Sequence, residues 1–151
     1  MKKVLCLITF IVVSFTITFA QTPSQAKPAQ NPKVVTAAQV NGVYRYYKSE
    51  FRVLALGHNK LKVQFDGIYM TLAKSPNMGY AVGEATIEGN VATFIPPDTQ
   101  GCKITMTFLT NKMIVQQEGF DVDCGFGHNV MASGTYRRVK AGKPKWIPIP
   151  Q

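Results

Sequence analysis

This chain is poor in acid, histidine and tryptophan. Among 151 residues it has 8 acidic side chains, 2 histidines and 1 tryptophan. His58 and His128 each sit between a glycine and an asparagine, in turn-like contexts. No spacing around them supplies the three or four ligands that a zinc site requires. Paired carboxylates near a motif, a glycine-rich phosphate loop and a Ser-His-Asp set are all missing, so no catalytic constellation is expected. No cofactor and no metal are expected either. Helical periodicity is nearly absent, which excludes a bundle. After residue 20 no apolar run is long enough to span a bilayer as a helix.

What is present begins with an export signal. Lys2 and Lys3 precede the apolar run Val4 to Phe19, which ends at the small residue Ala20. That layout predicts a cleavable secretory signal peptide over 1–20 and a periplasmic or secreted product. Removing Lys2 and Lys3 takes the formal charge from +9 to +7. The remaining cations are spread along the chain, so nucleic acid is not the expected partner. An unidentified protein or an anionic envelope polymer fits the charge better.

Cys6 leaves with the leader, and Cys102 and Cys124 remain. Two thiols in an oxidising compartment have one intramolecular pairing. The crosslink encloses about 22 residues and contributes roughly 3 kcal/mol in the chain-entropy model. Cys124 and His128 are four apart, but an oxidised sulfur cannot act as a nucleophile. Asp121-Val122-Asp123-Cys124-Gly125 suggests the start of a calcium loop, yet the twelfth position from Asp121 is Ala132 and no helical pattern flanks it. It reads as a polar turn entering the disulfide.

Residues 21–40 are rich in proline and glutamine and predict a flexible tether. Residues 140–151 predict a second flexible, proline-rich tail, which carries Trp146, Ile147 and Ile149. Between them, 41–139 holds short β-rich runs separated by turns. Leu61, Val63 and Phe65 alternate with polar neighbours, as do Ile104, Met106 and Phe108. Asp66-Gly67 and Gly89-Asn90 read as hairpin turns. About eight or nine strands follow, roughly ten residues apart. The predicted fold is all-β, a small antiparallel meander barrel, with a two-sheet sandwich as the alternative closure. Gly42-Val43-Tyr44-Arg45 and Gly134-Thr135-Tyr136-Arg137 echo one another and are expected to be the neighbouring strands that close the ring.

Gly42-Val43-Tyr44, and the segment Cys124 to Val130 followed by Gly134-Thr135-Tyr136, resemble features of small exported bacterial β-barrel proteins of lipocalin-like (calycin-like) outline. The resemblance covers about residues 41–139 and implies a barrel closed by its last strand. The chain lacks the longer strands and the downstream strand arginine of ligand-carrying lipocalins.

Two candidate sites emerge from the residues. Tyr44, Arg45 and Tyr47, with Arg137 and Arg138 on an adjoining strand, would form an aromatic and cationic outer surface. Gly125, Phe126 and Gly127 suggest unusual backbone and a plug at one barrel end. The expected function is a non-catalytic binding or interaction module. Carriage of a small apolar ligand is the first alternative, although Phe65, Met106 and Phe108 are large for an open interior. Inhibition of a hydrolase such as lysozyme is the second.

Overall fold

A computed structural model describes residues 35–148. The expected leader and most of the expected tether lie outside the described residues. A short helix α1 (Ala37–Val40) leads into eight strands. They are β1 (Gly42–Tyr46), β2 (Ser49–Gly57), β3 (Lys60–Met70), β4 (Pro76–Glu88), β5 (Val91–Phe94), β6 (Lys103–Phe108), β7 (Lys112–Glu118) and β8 (Gly134–Ala141). Each pairs antiparallel with the next, and β8 pairs with β1, so the sheet is a closed barrel. The barrel, not the sandwich, is the closure adopted, and the two Gly-x-Tyr-Arg strands are the ones that close it.

Alternation produces the core. On β6 Ile104, Met106 and Phe108 point inward and are buried, while Lys103, Thr105 and Thr107 between them are half-exposed. The interior is filled by Tyr44, Phe51, Phe65, Phe94, Met106, Phe108, Met113 and Tyr136, each at most 2% exposed. Burying each such side chain contributes about 1.5–3 kcal/mol. Rings meet in tilted and edge-on contacts, with Phe51 lying 4.8 Å from Phe65 and 5.0 Å from Tyr136.

One predicted turn is absent. Asp66-Gly67 is not a hairpin: β3 runs through it, and Gly67 lies opposite Gly79 on β4. The reversal comes at Thr71–Ser75, where Lys74 takes a left-handed φ of 59°. Gly67 is required by packing instead. A Cβ there would stand 2.5 Å from Phe65 Cζ and 3.0 Å from Val130 Cγ1. Two expected strands therefore merge into one, giving eight. Since β2 follows β3 only to Asp66, the β3–β4 hairpin overhangs the barrel wall.

The two barrel ends differ. At one, tight turns and α1 close the opening, and Val40, the last residue of the helix, is buried against the core. At the other, the loops 95–102 and 119–133 are long and are joined by the Cys102–Cys124 disulfide. The last expected strand, 130–139, starts four residues later and extends to Ala141, while Val130 and Ala132 pack inward as loop.

The described part of the proline-rich tail is docked, not free. After Gly142 it turns back along the outside of β3. Pro144 is buried, Trp146 stacks on Lys62 with Nζ 4.6 Å from the ring centre, and Ile147 lies beside Gln64. Gln64 points away from the core yet is 1% exposed. Its amide donates to Ile147 O (2.8 Å) and to Tyr80 Oη (2.8 Å), and accepts from Ile147 N (3.1 Å). A side chain here reads a backbone as a neighbouring strand would.

Candidate functional site

The expected outer surface is only partly assembled. Tyr44 is not on it. The strand places Tyr44 inward, fully buried, with its hydroxyl donating to Val40 O (3.0 Å) and Gln39 O (3.2 Å). Burial pushes its pKa up to about 12, opposed by the nearby Arg138 charge. Arg138 also leaves the outer face. Its guanidinium reaches the helix end of the barrel and donates to Ala38 O (2.7 Å) and Asn41 O. That matches a cation to the carbonyl end of α1. A register shift in the β1–β8 ladder between Val43 and Tyr44 accompanies this turn.

Arg45, Arg137 and Tyr47 are exposed. Tyr47, 84% exposed, occupies the β1–β2 turn with φ 49°. Arg45 and Arg137 are directly opposite across the closing seam. Lys112 on β7 is in turn directly opposite Arg137. Three outward cations thus stand in one row across β7, β8 and β1. Of the three, Arg45 is held by Glu50, with Nη2 2.6 Å from Oε2. Lys112 and Arg137 make no ion pair among the described residues. Beside them an open pocket of about 630 Å³ is lined by Leu109, Thr110, Asn111, Lys112, Arg137 and Arg138, with no acid among them.

Lys112 was invisible as a site residue to sequence reasoning. Its signal was indirect: Met113 and Tyr136 both face inward and are paired, so their predecessor and successor, Lys112 and Arg137, must share the outer face.

At the other end Phe126 is buried, its ring 5.0 Å from Phe65. Gly125 ends a single 3-10 turn, Val122–Cys124, with a left-handed φ of 68°. Gly127 N donates to Met78 O (2.8 Å), and a Cβ on Gly127 would meet that carbonyl at 2.7 Å. Phe126 is thereby inserted under β3–β4. The neighbouring acids serve this loop. Asp121 accepts from Asn129 N (2.5 Å) and Val122 N (2.8 Å), and these bonds hold its carboxyl below the usual range. Asp123 accepts from Phe120 N (2.7 Å). His128 is exposed, with Nδ1 3.6 Å from Asp121 Oδ2. Among the described residues no three His, Cys, Asp or Glu side chains cluster as a metal site would require.

Comparison with protein-family models, with curated proteins and with solved structures finds no match for this chain.

Proposed function

We propose that this protein is an exported, non-catalytic binding module of lipocalin-like outline that engages an anionic polymer or surface with the outside of its barrel. The observation that carries this reading is the row Lys112–Arg137–Arg45. Like charges directly opposite on adjacent strands are destabilising. Glu50 offsets Arg45, but Lys112 and Arg137 stand directly opposite one another beside an acid-free pocket, and an anion bound there would relieve their repulsion. The preference for an outward-facing role over carriage of an apolar ligand rests on the interior being occupied by large side chains. Inhibition of a hydrolase would be a special case, in which the anionic surface belongs to an enzyme.

The test is retention on an immobilised sulfated or phosphorylated polysaccharide across a sodium chloride gradient. Lys112→Ala with Arg137→Ala should elute markedly earlier than the wild type. Lys60→Ala with Lys103→Ala removes the same charge from residues already paired with Glu84 and Glu118, and should elute close to the wild type. Equal losses from both pairs would reduce the attraction to net charge alone and sink the row as a site.

A further inference from the structure

The described part of the docked tail leaves one polar group of its groove without a partner. Arg52 projects outward from β2, directly opposite Gln64 on β3. Its side chain is 10% exposed and one arm of the guanidinium is paired with Glu50 Oε1. The other arm, Nη1, is buried and has no hydrogen-bond partner among the described residues. Such a buried charged donor without an acceptor is unfavourable. Next to it, Ile147, Arg52, Arg45, Lys48, Glu50 and Asp66 line an open pocket of about 230 Å³. Three cations face two carboxylates there, so the pocket is net cationic. No acidic side chain follows Asp123 in the sequence, so no aspartate or glutamate of the tail pairs with this arm.

We infer that the groove along β3 is a binding site for an extended peptide in trans, and that its preferred ligand carries an acidic side chain just beyond the residue gripped by Gln64. The tail shows how the backbone is read. Gln64 pairs with one residue's N–H and C=O, and Lys62 supports the aromatic residue before it. Proline at 144 and 148 keeps the segment extended. An incoming peptide of the same form gains what the tail lacks, a charge-assisted bond to Arg52. The tail is tethered, so its high effective concentration makes it a competitor that sets the affinity threshold. Gly142, with φ 83° and open space around it, is the joint at which the tail lifts away. The site shares Arg45 with the Lys112–Arg137–Arg45 row but uses neither Lys112 nor Arg137, so substituting those two tests the row without touching the groove.

Trp146 is the single tryptophan and sits on the tail, so its emission reports displacement. The full folded chain is titrated with two amidated peptides, Lys-Pro-Lys-Phe-Ile-Glu-Glu and Lys-Pro-Lys-Phe-Ile-Gln-Gln. The acidic peptide should red-shift Trp146 emission with a midpoint at least tenfold lower than the neutral one. Arg52→Lys keeps the charge beside Glu50 but loses the forked donor, and should erase that difference. Gln64→Ala should abolish binding of both peptides, read by anisotropy of labelled peptide, while circular dichroism stays that of the barrel. Equal midpoints for the two peptides, or no response up to millimolar concentration, overturns the inference. So does a concentration-dependent dimer that buries the tail in a second copy.

Discussion

Gly42-Val43-Tyr44-Arg45 and Gly134-Thr135-Tyr136-Arg137 enter the barrel from opposite ends, yet their side chains perform the same tasks. Each tyrosine turns inward and donates its hydroxyl to the carbonyl four residues earlier, Val40 for Tyr44 and Ala132 for Tyr136 (2.9 Å). Each arginine turns outward, and the two face one another. Each glycine makes room. A Cβ on Gly42 would strike Lys140 O, and one on Gly134 would stand 2.6 Å from the Tyr46 ring. What differs is what the tyrosine holds. Tyr44 secures a short helix directly before its strand. Tyr136 secures the end of a long loop, whose Ala132 N also donates to Gln117 Oε1 (2.7 Å) and whose far side carries Cys124. One local rule thus seats two unrelated closures, and the closure with the longer loop is the one that adds a covalent bond.

The comparison is broken most forcefully by removing a ring. Tyr136→Ala should cost about 3–5 kcal/mol in denaturant unfolding. Tyr44→Ala should fall in the lower part of that range, because Tyr136 contacts both Phe51 and Tyr46 whereas Tyr44 contacts Phe108 at 5.9 Å. A larger cost at Tyr44 would reverse the ranking of the two ends. Next in size is the disulfide. Cys102→Ala with Cys124→Ala should lower stability by about 3 kcal/mol. Hydrogen exchange should quicken in 119–133 while α1 keeps its protection; equal loosening at both ends would show that the ends are coupled.

The smallest effect sharpens the parallel between the tyrosines. Tyr44→Phe and Tyr136→Phe should each cost about 1 kcal/mol at neutral pH through the lost hydrogen bond. Burial raises the pKa of Tyr44 from 10.0 to about 12 and moves that of Tyr136 in the same direction. The folded chain therefore holds these protons more tightly than the unfolded chain. Their contribution is complete below pH 10 and is lost as pH climbs toward 12. The wild type should lose stability across that window, and the double Phe variant should lose less. An identical alkaline slope would remove the tyrosines from the account.

Much of this was legible beforehand because it is local. Period-two alternation revealed β6, and the repeated Gly-x-Tyr-Arg revealed which strands meet. The remainder depended on contacts distant in sequence. Asp66-Gly67 has turn chemistry, but its glycine answers to Phe65 and Val130, one of them far along the chain. Around Tyr44 aromatic side chains occupy both phases of the strand, at 44 and 46 on one side and 47 on the other, so alternation alone could not say which side faced in. Gln64 reads as an ordinary surface residue until a segment 83 residues later covers it. Of the candidate site, Arg45 and Arg137 were visible through the repeat, whereas Lys112 required the register of β7 against β8.

Closure of β8 onto β1 has one more consequence. Gly42 is opposite Ala141, so the chain enters and leaves the ring at one place, and the ring itself has no intrinsic first strand. A circular permutant opened in the exposed overhang at Thr71–Ser75 and spliced across the old termini would keep all eight pairings, with only the order of synthesis changed.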